Sequence, residues 1–515
     1  MTTAIPGGVD GAQSSLIDPS TEEPRARNRR MSTRTKVLIM LGAFVAFCIV
    51  RWATGADQFT SVGSVSAALV LTIPIAMAGL AGLWSERAGI VNIGLEGMLI
   101  AGTIFGAWIG SSTGPWVGAI AGIIGGALFG LIHAIATVTF GVDQIVSGVA
   151  LNILATGVAG LLAETFFKES NGKQSPPVGQ ITKITLPWKS GLDSLQRKDV
   201  PVVSDLAGIL GGLTTNLSLL TILCLALFPL TFYILWRTAF GLRLRSAGEN
   251  PHAAESLGVD VYKMKYIGVI VSGAIGGLGG VFLVTVSSQV YIENQTGGRG
   301  YIGLAAMIFG NWTTAGTFLG SLLFGYTSAV NQRSDLSSST AIVVLVAIGL
   351  AVLLLLELRK LAERRASVAV TAGARRSTQI FTVVLAVASV VALVVAAIRL
   401  LGRLQFIPGQ EAVRGGAAKT FLVLVLAVVL VLIAGLILYS YRAFRATMQR
   451  AQYSGNLAPY VAGYVLFTWM WLSNTGIPQS FKSAIPNIIT LLVLAFASQR
   501  LRPPAADGLV YRRGE

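Results

Sequence analysis

The sequence is poor in charge: only 12% of its 515 residues are Asp, Glu, Lys or Arg, about half the share found in soluble domains. That is too little to coat the surface of a water-soluble chain of this length. Cysteine is limited to Cys48 and Cys224, both within apolar runs, so neither a disulfide framework nor zinc-ligand spacing is legible. The two histidines, His133 and His252, stand apart from each other and read as packing or surface groups rather than catalysts. No Gly-x-x-x-x-Gly-Lys-Ser/Thr and no His-Glu-x-x-His occurs. Nothing in the chain is therefore built to wrap backbone amides around ATP phosphates or to pair ligands on a metal, and no cofactor is expected on it. The cluster Gly273, Gly276, Gly277, Gly279 and Gly280 is not a dinucleotide loop, because no strand precedes it. It sits in an apolar helix, where glycine lets helices approach closely.

What the sequence does contain is apolar: 53% of residues are hydrophobic, arranged in runs rather than in alternation, so lipid is the expected solvent for most of the chain. The formal charge of +16 is spread between the runs and not gathered in a patch. The positive-inside rule and anionic headgroups account for that distribution, and nucleic acid is not an expected partner. A membrane-crossing helix needs about 20 mainly apolar residues. Candidate spans are 37–52, 61–83, 88–110, 115–138, 142–166, 217–236, 265–287, 340–357, 379–398, 419–440, 459–473 and 485–498. The expected fold class is all-α: a polytopic helical integral membrane protein of about 12 transmembrane helices.

Tyr301–Val330 differs, since Gly310, Asn311, Trp312 and Thr313 interrupt two short apolar halves, predicting a re-entrant or broken-helix hairpin lined by protein. Residues 1–30 are polar and predict a disordered cytoplasmic tail. A basic cluster, Arg25 to Lys36, then precedes the first span and places the N-terminus inside. Counting spans from there puts 238–264, 358–378, 441–458 and the Arg-rich C-terminus in the cytoplasm, and 167–211 outside, provided that 301–330 returns to the side it entered.

Two groups of residues carry candidate chemistry. Within the membrane, Asn92 and Glu96 lie one helical turn apart in an apolar stretch with Gly89, Gly94 and Gly97. A buried acidic residue costs roughly 2.5 to 3.5 kcal/mol on insertion scales, so Glu96 is expected to face a partner group or a water-filled path. An interhelical clamp and a path-lining role both fit. Asp143, Gln144 and Asn152 repeat the pattern: the first two suit an interface, and the third a deeper contact or lining group. Asn311 and Trp312 join this substrate-pathway set. The second group lies in the segment Gly241–Gly258, with Arg243, Arg245, Gly248 and Glu249 before Asn250-Pro251. Asn250 can cap a helix, Pro251 suits its first position, Ala253 and Ala254 propagate it, and Gly258 can close it in the left-handed conformation. A helix this short is not stable alone and needs its flanking spans or a partner protein.

Four stretches resemble a known family. Glu86–Gly97 (ERAGIVNIGLEG) and Asp143–Asn152 (DQIVSGVALN) look like the nucleoside branch, Gly248–Ala254 (GENPHAA) is similar to the loop that meets the ATPase, and Phe309–Trp312 (FGNW) to the broken segment. The family is that of permease subunits of bacterial ABC importers for nucleosides, simple sugars and branched-chain amino acids. The resemblance implies a non-enzymatic subunit in the bacterial plasma membrane, with both termini cytoplasmic. Its implied partners are a separate ATP-binding subunit that carries ATP and magnesium, a second related permease subunit and an extracellular substrate-binding lipoprotein. It makes 31–332 a core permease domain, 335–475 an insertion of about four spans, and 476–515 a final helix and basic tail. It also gives 238–264 the coupling role and lets the long loop 167–211 serve docking of the binding protein. Two readings outside the family are an ion-driven transporter, for which Glu96 alone offers thin ion coordination, and a membrane scaffold built on the insertion.

Overall fold

The computed structural model describes residues 41–333, save 43, 46, 50, 53–55, 171, 172, 186 and 216, together with residues 502–512. The expected N-terminal tail, the 335–475 insertion and the last span lie outside the described residues. Residues 1–47 and 48–515 form separate compact units. The described residues of the first are helical.

The described residues of the second unit are mainly helical. Its elements are α1 (Val62–Arg87), α2 (Leu95–Thr113), α3 (Pro115–Ala134) running on into a π-turn at Ile135–Thr139, and α4 (Gln144–Phe166). There follow α5 (Lys189–Gln196), α6 (Val203–Thr214), α7 (Leu219–Arg237), α8 (Ala239–Glu249), α9 (Pro251–Ser256) and α10 (Val261–Phe282), the last extended by a π-turn at Leu283–Ser287. Two shorter-spaced helices close the run, α11 (Arg299–Phe309) and α12 (Thr314–Arg333). A two-residue antiparallel pair, β1 (Lys183–Ile184) with β2 (Leu217–Ser218), ties the long loop to the start of α7.

Among the described residues five helical stretches are long and apolar enough to cross a bilayer: α1, α3 with its π-turn, α4, α7, and α10 with its π-turn. Burial separates them. α1 and α10 are 78% buried and form the centre, whereas α4 is 28% and α7 33% buried, leaving Ile145, Val149, Ile153 and Leu161 of α4 and Leu223, Leu230 and Phe232 of α7 exposed. Apolar side chains facing outward are what lipid or a second membrane subunit covers.

The expected span 88–110 is divided in the structure. The chain leaves the helix at Ala88, turns at Gly89 with φ +80°, and re-enters only at Leu95. Glycine there accepts a backbone conformation closed to most residues, and Ser85 Oγ donates 2.6 Å to Ile90 O across the turn. The loop 167–211 is likewise more than a connection. α6 lays Gly208, Gly211 and Gly212 against Thr60, Val62 and Val65. Next to it, buried Arg51 reaches the fully buried Asp205 at 2.6 Å.

Close packing at the centre rests on glycine. A Cβ at Gly126 of α3 would lie 2.6 Å from Gly277 Cα of α10, and one at Gly130 would lie 2.7 Å from Val269 O. No side chain fits between these backbones. Gly157 and Gly160 of α4, by contrast, have nothing within 4 Å of an added Cβ. Gly126→Val is therefore expected to cost about 3 kcal/mol or more, seen as loss of monodisperse protein or a thermal midpoint lowered by several degrees in detergent, while Gly157→Ala leaves the midpoint unchanged.

Candidate functional site

A cavity of about 320 Å³ opens between α2, α4 and the start of α11, lined by Glu96, Asn152, Thr156, Asn294, Thr296 and Tyr301, with Gly297 and Gly298 contributing backbone. Its floor is a set of polar contacts at chain breaks. Glu96 sits in the first turn of α2 and accepts from Gly298 N at 2.9 Å and Gly300 N at 2.6 Å. The carboxylate thereby takes up amides that the first turn of α11 cannot pair internally, and its charge complements the positive end of that helix. Gly298 can occupy the left-handed N-cap position, φ +78°, and a Cβ at Gly300 would lie 2.5 Å from Glu96 Cα.

Asn152, two turns into α4, knits three elements together. Its Oδ1 accepts from Gly97 N at 2.7 Å, and its Nδ2 donates to Ile93 O at 3.1 Å and Tyr301 Oη at 2.9 Å. With that bond made, the Tyr301 hydroxyl still has its own proton to donate, and 48% of the residue is exposed. Uncharged donors and acceptors beside a half-exposed aromatic ring suit a neutral polar ligand held by a few hydrogen bonds.

The other pathway candidates lie outside this cavity. Asn92 is buried and donates to Ser272 Oγ at 3.0 Å. Gln144 Oε1 accepts from Val91 N at 2.6 Å, and buried His133 bonds Ser147 Oγ at 2.9 Å and Val91 O at 3.2 Å. These side chains pin the 88–94 loop in place. Asp143 is exposed and caps α4, accepting from Val146 N at 2.9 Å. Tyr301, Thr156, Asn294 and Thr296 were not among the expected residues. Tyr301 stands within the glycine-rich stretch Gly297-Gly298-Arg299-Gly300-Tyr301, the one local signal that the backbone there comes close to another element. Among the described residues no three His, Cys, Asp or Glu side chains gather as a metal-holding group.

Asn311 and Trp312 belong to a second cluster, at the other end of α11. Both have positive φ, +51° and +53°, in a turn held by neighbours. Trp312 Nε1 donates to Glu86 Oε2 at 2.5 Å, and Arg87 donates from Nη2 to Trp312 O at 2.6 Å. Arg87 also faces Glu249 at 3.6 Å. α9 follows directly. Asn250 Oδ1 accepts from Ala253 N at 3.0 Å, Pro251 occupies the first turn, and Gly258 closes the helix at φ +79°. Pro251 and Ala254 are buried and Ala253 is exposed, as is Leu257, at 85%. On α8, Arg243 is exposed, Arg245 Nε donates to Leu235 O at 2.9 Å, and Gly248 packs where a Cβ would lie 2.8 Å from Gly89 N.

Residues 502–512 lie across this cluster. Arg502 N donates to Asn311 Oδ1 at 2.7 Å, Ala505 N to Glu249 Oε2 at 3.1 Å, and Ala506 N to Gly248 O at 3.0 Å. Asp507 faces Glu86 and Arg87 of α1 and Lys265 of α10, and burial pushes its carboxyl up from the ordinary 3.8 to about 7. Between those two values the docked segment holds a proton that a released one does not, so docking weakens as pH rises through the window. The protection factors of the Ala505 and Ala506 amides in hydrogen exchange are expected to fall between pH 5 and pH 8 in the wild type and to stay level in Asp507→Asn. Equal pH dependence in both proteins contradicts this.

Sequence comparison adds kinship to the geometry. Residues 64–334 match the family model described as branched-chain amino acid transport system / permease component. The chain is 38% identical over 275 residues to the guanosine ABC transporter permease protein NupQ of Bacillus subtilis (strain 168), which covers 52% of this chain and 81% of that protein. It is 36% identical over 264 residues to the nucleoside ABC transporter permease protein NupC of Lactococcus lactis subsp. cremoris (strain MG1363), covering 50% and 78%. To the putative glucose ABC transporter permease protein TsgC13 of Haloferax volcanii it is 30% identical over 274 residues, covering 53% and 78%. With more than half of its 515 residues inside the matched region, the chain belongs to the branched-chain amino acid transport system permease component family.

Proposed function

We propose that this protein is the membrane-spanning permease subunit of an ATP-driven nucleoside importer. The observation that carries the reading is the pairing of 38% identity to a guanosine permease with a cavity lined mainly by neutral hydrogen-bonding groups and a half-exposed tyrosine, its one carboxylate, Glu96, being already bonded to two backbone amides. A ribose offers hydroxyls and a nucleobase offers a flat face and edge donors, which such a lining can meet without a charge partner. Weak, multiple contacts fit a carrier, which has to release its cargo. Ile153, on the exposed face of α4, is among the residues that line the cavity, and this supports a path completed by the second permease subunit.

In this reading the chain crosses the plasma membrane about twelve times with both termini in the cytoplasm, and a binding lipoprotein delivers the nucleoside from outside. The ATPase, which holds ATP and magnesium, docks on α9. Ala253, Ser256 and Leu257 form the exposed side of that helix, and an apolar side chain exposed at a helix end is the type of group an interface buries as an anchor. Closure of the ATPase then moves α9 and switches the cavity between its outward and inward openings.

Two substitutions separate the parts of the proposal in cells co-expressing the chain with its genomic neighbours. Leu257→Asp is expected to abolish copurification of the ATPase and lower tritiated guanosine uptake roughly thirtyfold, with the membrane fold intact. Tyr301→Ala is expected to lower uptake about fivefold, the worth of one hydrogen bond of about 1 kcal/mol, while the ATPase still copurifies. Uptake that is unchanged by Leu257→Asp, or that proceeds without the ATPase, transfers the reading to an ion-driven transporter.

A further inference from the structure

We propose that residues 502–512 are a tie-bar of the coupling apparatus, and that Tyr511 is the positioning residue through which movement of α9 reaches the substrate cavity. The proposal rests on the reading of α9 as the ATPase contact.

The segment touches three separate elements in order. It begins at the α11–α12 turn, through the Arg502 amide on Asn311, crosses the end of α8 through the Ala505 and Ala506 amides on Glu249 and Gly248, and ends on α9, where the Tyr511 hydroxyl donates to Glu255 Oε2. Tyr511 is only 7% exposed. Its ring sits 5.2 Å from that of His252 and 5.6 Å from that of Tyr262, with Lys265 Nζ 5.9 Å above it. A tyrosine enclosed on these sides is locked to α9 and to the start of α10 together.

The outer face of α9 stays open. Ala253, Ser256 and Leu257 remain exposed with the tail in place, so the tail does not mask the surface left for the ATPase. It holds the opposite side. A six-residue helix lacks the internal cooperativity to transmit force by itself, and the tail supplies a second anchor.

At its far end the tail grips a turn whose residues Asn311 and Trp312 both have positive φ, and in which Trp312 is already fastened to Glu86 and Arg87. From that turn α11, eleven residues long, runs back to Tyr301 at the cavity. A displacement of α9 thus has a continuous protein path, through Tyr511, Ala506 and Asn311, to the helix whose first turn Glu96 holds.

The experiment uses the full complex, purified from co-expression and reconstituted in phosphatidylethanolamine/phosphatidylglycerol vesicles, with ATP hydrolysis and tritiated guanosine uptake read on the same preparation. In Tyr511→Ala the ATPase is expected to copurify and hydrolyse ATP at close to the wild-type rate, while guanosine moved per ATP falls about tenfold, on the scale of an ordinary coupling free energy. Tyr511→Phe, which keeps the ring, is expected to restore most of that ratio. Ala506→Pro removes the amide bonded to Gly248 and is expected to uncouple as Tyr511→Ala does. An unchanged ratio in Tyr511→Ala overturns the proposal, as does loss of the ATPase from that variant, which would make the tail part of the docking surface. Failure of both Tyr511→Ala and Ala506→Pro to give monodisperse protein assigns the tail to folding and also overturns it. Should wild type itself retain no ATPase, the α9 reading has failed first, at a step visible before any variant is compared.

Discussion

Inside a bilayer, a backbone amide or carbonyl released from a helix has no water to turn to, and leaving it unpaired costs several kcal/mol. Among the described residues, several of the places where this chain stops being helical are accordingly held by side chains. Gln144 accepts the Val91 amide, Asn152 takes the Gly97 amide and the Ile93 carbonyl, Glu96 accepts the Gly298 and Gly300 amides, and Arg87 donates to the Trp312 carbonyl. The polar residues that look expensive in an apolar sequence thus stabilise the breaks. Glu96 also shows why one residue can be structural and functional together: each carboxylate oxygen takes up one amide, and the same group lines the cavity.

Glycine makes this arrangement possible from the other side. At the crossing of α3 and α10, Gly126 and Gly130 meet Gly273 and Gly277 with no room for a side chain, and association without a hydrophobic driving force relies on such contact. The tightly packed centre of α1 and α10 is a frame, while α4 and α7 carry their apolar faces outward. The cavity lies where the two regimes meet, bounded by the packed α2 and by the outward-facing α4.

Much of this is legible in the sequence. Asn250-Pro251 and Gly258 marked α9 because a cap, a proline and a left-handed glycine are local signals, and Gly310–Thr313 marked a break for the same reason. Glu96 and Asn152 stood out as polar residues in apolar runs, and both reach the cavity. Asn92 and Gln144 stood out equally but serve the 88–94 loop, since the sequence shows the cost of burying a polar group and not the partner that offsets it. Asp143, whose position suits an interface, is an exposed cap.

The sequence by itself determined the solvent, the helical class and those turns that carry their own capping residues, because composition, run length and capping chemistry act over a few residues. Only the tertiary structure decided which polar groups meet, since those meetings join residues far apart in the chain: Glu96 with Gly300, Trp312 with Glu86, Tyr511 with Glu255. The same holds for the docking of 502–512, a short polar stretch whose apolar content gives no reason to expect order. It is ordered by the acceptors Asn311 Oδ1, Glu249 Oε2 and Gly248 O and by the enclosed ring site that the folded helices present to it.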